Sequence, residues 1–363
     1  MTCADNPVEW FLEISAPCNL RCLTCSRIND ERFKDLSSTG DMKPEIMEKI
    51  DPLFEESLTV HSVGFGEPFI NRHAMDYIRA IKKHDTFLNV MTDGTLLNGK
   101  EDDLIASKLN RLTVSMDGGT REVLDYFRRG ARWDDVFKSL KYLNEKKKKK
   151  KSGLPSVNIE FMVMNGNIST FPKLVELAAV EWGVHGITAE ALPQTVCEEC
   201  SDFYMEQNLY NRPYEEVDAL FNEAKAMAER YGLLLTGPYY DGKRKMLWQN
   251  ARVKAMGHID ELGKTFLQAS SQKTCFTPIC TVPWTTTYVA FDGTVRPCCF
   301  SESAAVLGDL RKESFEEIWN GEEYQQLRQD ILNDTLPESC KPCVANARIH
   351  GRAIFHKFAE YLQ

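Results

Sequence analysis

The stretch Ser15–Cys25, SAPCNLRCLTC, places Cys18, Cys22 and Cys25 within eight residues. Thiolates this close together on one short loop are suited to holding metal. A structural zinc site needs four ligands and usually pairs two CxxC-like knuckles. Here no fourth cysteine or histidine stands nearby, the next histidine being His61. Three thiolates fit a four-iron, four-sulfur cluster better, because they hold three irons and leave the fourth open to a substrate or cosubstrate. Zinc binding and disulfide bonding stay as the alternatives at this point.

The other cysteines also come in groups: Cys197 with Cys200; Cys275, Cys280, Cys298 and Cys299; Cys340 with Cys343; and Cys3 alone, twelve in all. Disulfide scaffolds suit short secreted chains. This chain has 363 residues, and its opening MTCADNPVEW carries neither a basic nor an apolar export region. A reducing, cytoplasmic setting is therefore expected, with the cysteines serving metal. The composition is 43% hydrophobic with no apolar run long enough to cross a bilayer, so no membrane partner is expected. The net charge of −9 argues against nucleic acid as a partner.

The elements that must position these residues follow from hydrophobic periodicity. Strands are predicted at Val8–Ser15, Leu58–Phe65, Phe87–Thr92, Arg111–Met116, Ser156–Met164 and Gly186–Leu192. Helices are predicted near Pro44–Phe54, His73–Lys83, Gly99–Leu109, Trp133–Glu145, Phe171–Trp182 and Tyr214–Tyr231. Repeated strand–helix units imply an α/β fold with parallel strands and right-handed crossovers. The unusual residues fall just past the strands. The three-cysteine loop follows the first, GFGEP (Gly64–Pro68) the second, TDGTLL (Thr92–Leu97) the third and SMDGG (Ser115–Gly119) the fourth. NGN (Asn165–Asn167) follows the fifth, and CEEC (Cys197–Cys200) lies beyond the sixth. The carboxyl ends of parallel strands are where such folds place ligands, so six loops are expected to build one site. The Lys146–Lys151 run reads as a solvated helix end entering a loop.

After about Met256 the pattern changes. Asp292-Gly293 between two β-prone runs signals a hairpin. SFEEIWNGEEYQQLRQDI then reads as a helix with Ser314 and Glu317 as a capping box.

Cys-x3-Cys-x2-Cys after a first strand, with GEP after the second, resembles the radical S-adenosylmethionine (SAM) superfamily. The resemblance implies a partial (β/α)6 TIM-like barrel over residues 1–235. It implies that Cys18, Cys22 and Cys25 hold a 4Fe-4S cluster whose open iron chelates the methionine end of SAM. Reduction would then release a 5′-deoxyadenosyl radical that takes hydrogen from the substrate. Gly64, Gly66 and Glu67 match the GGEP motif that meets the SAM amino group, with Phe65 between the glycines. Ser115 and Asp117 match the fourth-strand SxDG segment, Thr92 matches the threonine of the third-strand TNG, and Arg128, with Arg129 as its rival, matches an arginine for the SAM carboxylate. One departure is Thr24, where the family often carries an aromatic beside adenine, which leaves the adenine to Leu23 or the barrel wall.

Cys280-x12-Gly293-x4-Cys298 followed by Cys340-x2-Cys343 resembles the auxiliary-cluster domain called SPASM, or its shortened twitch form. The resemblance implies a small C-terminal iron–sulfur domain over 275–363 with a C-terminal helix, after a bridging segment at 236–274. It implies one auxiliary 4Fe-4S cluster on Cys280, Cys298, Cys340 and Cys343, closed by four protein ligands and so suited to carrying electrons. Cys299 is expected to be a bystander, Cys275 is the rival of Cys280, and a zinc ribbon is the alternative for this set. Cys197 and Cys200 are candidates for donating hydrogen to a substrate radical or for binding another metal; the plainer reading, ordinary loop thiols, stands ahead of it.

These features point to oxidation, dehydrogenation or epimerisation of a small or carbohydrate-like molecule, with flavodoxin or ferredoxin as reductant. Peptide maturation is the alternative. The short segment before Cys18 and the single auxiliary cluster shift weight modestly away from it. A non-catalytic cluster scaffold, which would yield no 5′-deoxyadenosine, and a zinc-binding structural protein, which would hold no iron or sulfide, are the readings from other classes. Glu160, Glu190 and Asp93 lie near strand ends, and none is assigned as a base.

Overall fold

In the computed structural model, the residues described are 6–25, 27, 40–192, 202–240, 242, 244–248, 280–298, 306–333, 335, 337 and 340. Cys3, Cys197, Cys200, Cys275, Cys299 and Cys343 lie outside them. Along the chain run β1 (Glu9–Leu12), α1 (Pro44–Ile50), β2 (Thr59–Ser62), α2 (Ala74–Ile81), β3 (Phe87–Thr92), α3 (Glu101–Ala106) and β4 (Arg111–Ser115). Then come α4 (Arg121–Phe127), α5 (Trp133–Lys150), β5 (Ser156–Val163), α6 (Phe171–Val180), β6 (Gly186–Ala191), α7 (Asp202–Glu206), α8 (Tyr214–Tyr231) and β7 (Leu234–Thr236). The last elements are α9 (Val282–Thr285), β8 (Thr286–Val289), β9 (Thr294–Arg296), β10 (Gly308–Asp309), α10 (Phe315–Trp319) and α11 (Glu322–Leu332). All six expected strands and their alternation with helices are present, an α/β fold on parallel strands. No helix among the described residues is long and apolar enough to cross a membrane.

Two compact units divide the chain, one of residues 1–18, 38–90 and 274–363 and the other of 19–37 and 91–273. In the first, β1 lies between β2 and β8 and is parallel to both, with Glu9 opposite Thr59 on one side and Thr286 on the other. The β8–β9 hairpin turns through Asp292-Gly293 as expected, and Gly293 takes the positive φ of 88° that the turn requires. One face of this sheet buries Trp10, which meets Phe54 edge-on at 5.4 Å and Phe315 at 4.5 Å. Behind them Arg328, fully buried, stacks its guanidinium over Trp319 and Tyr324 and donates from Nε to the Pro283 carbonyl at 2.9 Å.

The capping box is formed: Ser314 and Glu317 exchange side-chain and backbone hydrogen bonds at the start of α10. Ser314→Ala is expected to lower stability by about 1 kcal/mol, read as a small drop in the denaturant midpoint with unchanged slope. The single helix expected after Ser314 is instead two. The chain breaks at Asn320–Gly321, where Gly321 turns extended to cap α11, and a Cβ there would sit 2.8 Å from the Glu317 carbonyl.

In the second unit β4, β5, β6 and β7 are parallel neighbours in chain order. Side chains alternate across a strand. Val114, Ile159, Phe161, Ile187 and Ala189 are buried on one face, and Phe161 stacks on Phe171 of α6 at 4.7 Å. The lysine run continues α5 to Lys150, with Lys146 and Lys150 paired to Asp102 at 2.6 and 2.7 Å. The helix end is solvated apart from Lys147, which is buried and donates to the Pro155 carbonyl at 2.6 Å, its pKa lowered by that burial.

Candidate cluster and cosubstrate site

In the first unit the GFGEP loop is held against the segment that leads into Cys18. The Glu67 amide donates to the Pro17 carbonyl at 2.9 Å. Gly66 permits this approach, since a Cβ there would fall 2.1 Å from the Ser15 carbonyl oxygen and 2.6 Å from that of Pro17. Gly64 lies as close to Glu13, whose Cγ would be 2.5 Å from an added Cβ. Glu67 is buried and caps the short helix Pro68–Ile70 by accepting from the Phe69 amide at 3.1 Å.

In the second unit the Cys22–Cys25 loop is pinned to the end of α4. The Arg21 amide donates to the Arg129 carbonyl at 2.7 Å and the Leu23 amide to the Phe127 carbonyl at 2.8 Å. Arg128, between those two carbonyls, turns inward, while Arg129 is exposed. Its Nη1 pairs with Asp117 Oδ2 at 2.9 Å, the two side chains only 13% and 4% exposed. Arg128 Nε finds no hydrogen-bond partner among the described residues. Burial works against its charge, yet Cys22, Asp117 and Asp93 around it raise its pKa above the usual arginine value. Burial also pushes the Cys22 thiol up to about 11, opposed by Arg128.

Asp117 is itself held in place. Its Oδ1 accepts from the Met162 amide at 3.2 Å, and its carbonyl accepts from the buried Asn167 side chain at 3.1 Å. The NGN loop is thus a latch for the SxDG segment. Thr92 and Asp93 serve their own turn: Thr92 Oγ1 accepts from the Gly94 amide at 3.1 Å, and Asp93 Oδ1 accepts from the Thr95 amide and hydroxyl at 2.8 and 2.7 Å. Leu23 is taken up by an apolar cluster with Phe127, Met164, Leu192 and Tyr204.

The second sheet face of this unit is mostly polar, with Met162 and Leu234 its apolar members. Thr113 and Ser115 on β4, Asn158 and Glu160 on β5, and Thr188 and Glu190 on β6 share it, with Ser115 opposite Glu160 and Glu160 opposite Thr188. Glu160 is raised to about 7, first by burial and then by the charges of Glu190 and Asp117, with Arg128 opposing.

Among the C-terminal cysteines, Cys280 and Cys298 interact through space, and burial raises the Cys280 thiol. Cys340 donates its amide to the Pro337 carbonyl at 2.9 Å. The described cysteines, Cys18, Cys22, Cys25, Cys280, Cys298 and Cys340, are all free thiols, which sets disulfide bonding aside for them. Among the described residues no three His, Cys, Asp or Glu side chains gather around a single metal-ion position.

Residues 12–178 match the Radical SAM superfamily, and residues 280–344 match SPASM, an iron–sulfur cluster-binding domain. The chain is a radical SAM enzyme with a SPASM domain. It binds SAM and a 4Fe-4S cluster in the first domain and auxiliary iron–sulfur in the second. The residues fit such groups: Cys22 is a buried free thiol, and Arg128 keeps an unpartnered Nε donor near it. A tungsten-containing aldehyde ferredoxin oxidoreductase cofactor-modifying protein of Pyrococcus furiosus is 25% identical over 92% of this radical SAM chain and 86% of its own. The AdoMet-dependent heme synthase of Methanosarcina barkeri is 25% identical over 94% of this chain and 89% of its own. Among solved structures, anSMEcpe with bound AdoMet superposes with a TM-score of 0.60 at 20% identity, covering 93% of this chain and 87% of that one. Streptococcus suis SuiB bound to S-adenosylmethionine does so with 0.60 at 15% identity, covering 89% and 68%. These two likenesses concern the fold.

Residues that sequence reasoning missed are Glu13 and, as a latch, Asn167. Glu13 stands in no cysteine or glycine motif, and only a carboxylate just past a strand end hints at it; Asn167 lies in the NGN motif, whose spacing does not reveal the bond to Asp117.

Proposed function

We propose that this radical SAM enzyme removes two electrons from a small polar molecule. Cys18, Cys22 and Cys25 would hold the first cluster, with Gly64, Gly66, Glu67, Thr92, Ser115, Asp117 and Arg128 around SAM. Cys280, Cys298, Cys340 and Cys343 would hold one auxiliary cluster, the chain dividing near 235 and 275. When bound, the first cluster and SAM supply hydrogen-atom abstraction, and the auxiliary cluster accepts the remaining electron. The observation that carries the reading is the polar sheet face of the second unit. A sheet face with Thr113, Ser115, Asn158, Glu160, Thr188 and Glu190 side by side offers hydroxyl, amide and carboxylate partners where packing alone would call for apolar residues. That face suits a substrate rich in hydrogen-bonding groups. The two chain-length relatives, both named for cofactor chemistry, support a small molecule. A peptide substrate is the second reading, favoured by the Mycobacterium tuberculosis mycofactocin maturase, 23% identical over 48% of this chain. A soluble electron donor of the flavodoxin or ferredoxin kind in the cytoplasm completes the proposal.

Glu160 is the proton acceptor in this reading. Asp93 is occupied by Thr95, whereas Glu160 stands beside Ser115 with a raised proton affinity. The groups facing it are Glu190, Asp117 and Arg128. Its carboxyl is protonated below about 7 and free to accept above it, so substrate oxidation should rise as pH passes through about 7 and then level off. Anaerobic assays of a polar-metabolite panel, following substrate-dependent 5′-deoxyadenosine against pH, test both claims. Glu160→Gln should remove the acid limb and most of the product while SAM cleavage without substrate persists. No 5′-deoxyadenosine under any condition would refute the enzyme's turnover, and an unchanged acid limb in Glu160→Gln would refute the acceptor.

A further inference from the structure

Glu13 is a buried carboxylate that the proposed reaction does not use. It follows β1, is 6% exposed, and its amide donates to the Val289 carbonyl at 2.9 Å. Its Oε1 accepts from the Phe65 amide at 3.0 Å, in the middle of GFGEP. Its side chain lies directly on Gly64, as the 2.5 Å approach of an added Cβ to Cγ demonstrates. From the other direction the Tyr288 hydroxyl and the Phe291 amide donate to the same carboxylate, with the Arg296 charge nearby. Tyr288, Phe291 and Arg296 belong to the β8–β9 hairpin, within the SPASM match at 280–344. One side chain thus collects donors from the GFGEP loop and from the hairpin that leads to Cys298. Buried acids persist only where such donors compensate the lost water.

We propose that Glu13 is a positioning residue that ties the β8–β9 hairpin of the SPASM domain to the Gly64–Pro68 loop and so sets that loop for SAM. The inference rests on the reading that this loop receives SAM. The carboxylate fixes the Phe65 amide, the Pro17 carbonyl fixes the Glu67 amide, and between these points the backbone of Gly66 has no freedom to shift. Releasing the first point leaves the loop tethered at one end, so its SAM-binding conformation becomes one of several. The loss appears in SAM affinity rather than in the chemical step.

The test uses cluster-loaded full-length protein purified without oxygen, with SAM as ligand. The dissociation constant is measured by calorimetry, KM and kcat for 5′-deoxyadenosine formation are measured separately, and iron content is the control. Glu13→Ala should weaken SAM binding by about tenfold to a hundredfold, the range for a lost hydrogen bond to a charged group, with kcat at saturating SAM little changed. Glu13→Gln, which keeps an oxygen acceptor for Phe65, should recover most of that affinity. Tyr288→Phe removes only a hydroxyl on the hairpin side, and it should still raise KM for SAM by about threefold to tenfold. Should Glu13→Ala fail to load iron, the Tyr288→Phe result decides. A lower kcat with unchanged SAM affinity in these variants would overturn the proposal. Glu67→Ala separates the two levels: if it weakens SAM binding and the Glu13 and Tyr288 variants do not, the coupling is wrong. If none of the three does, the loop reading itself is wrong.

Discussion

Cys22→Ala is expected to abolish 5′-deoxyadenosine formation and to lower iron from roughly eight toward roughly four atoms per chain, since one of two four-iron clusters is lost. The loop should survive the substitution. Its backbone is fixed by the Arg21 amide on the Arg129 carbonyl and the Leu23 amide on the Phe127 carbonyl, and the Cys25 amide meets the Cys22 carbonyl at 3.1 Å. None of these bonds involves the thiol. What would disappear is one of the three proposed ligands, and two thiolates would not retain a cube that three are needed to hold. Cys280→Ala is the matching control. It should lose auxiliary iron but still cleave SAM, because Cys280 belongs to the other cysteine set. Iron and sulfide analysis, absorbance near the sulfur-to-iron charge-transfer bands and product chromatography read all three outcomes. Zinc without inorganic sulfide in the oxygen-free protein, or full SAM cleavage by Cys22→Ala, would defeat the cluster assignment.

The parts of this site that could be read from sequence are those whose chemistry is local. Cys18, Cys22 and Cys25 announce themselves by spacing, and Asp292-Gly293 and the Ser314–Glu317 box each fix their own turn or helix start within four residues. Strand positions followed from periodicity for the same reason: alternation is a property of neighbours in the chain. What stayed hidden depends on residues brought together from far apart. Nothing in the opening residues marks Glu13 as a receiver of bonds from Phe65 and Phe291. The burial of Lys147 inside a lysine run needs the Pro155 carbonyl, and the buried Arg328 needs the rings of Trp319 and Tyr324. The parallel pairing of β8 with β1 was equally invisible, since the hairpin signal of Asp292-Gly293 speaks only for β8 and β9. In helix α10, the Asn-Gly pair that ends it was legible as a turn signal, but the strong helix formers on both sides masked it.

Asp117→Ala should be the most damaging change among the buried polar residues of the second unit. The side chain is 4% exposed and serves two partners, Arg128 Nη1 at 2.9 Å and the Met162 amide at 3.2 Å. Deleting it leaves a guanidinium 13% exposed without its hydrogen-bonded carboxylate, with Asp93 the remaining acid nearby, and a strand-end amide without its acceptor. Breaking one partner out of a buried ion pair costs about 3–5 kcal/mol. A loss of that size corresponds to a melting temperature lower by on the order of 10 °C for a unit this large. The same variant should lose SAM cleavage, because Arg128 is no longer held in the direction set by Asp117. Stability and positioning separate in the double variant Asp117→Ala with Arg128→Met. Removing the stranded charge should restore much of the melting temperature, since an apolar pair replaces a broken ionic one, while SAM cleavage stays absent. Thermal melting of the oxygen-free protein and 5′-deoxyadenosine yield, measured side by side on the two variants, distinguish these effects. If Asp117→Ala melted like the parent, the pair would contribute nothing to the fold. If the double variant regained SAM cleavage, Arg128 would have no part in holding the cosubstrate.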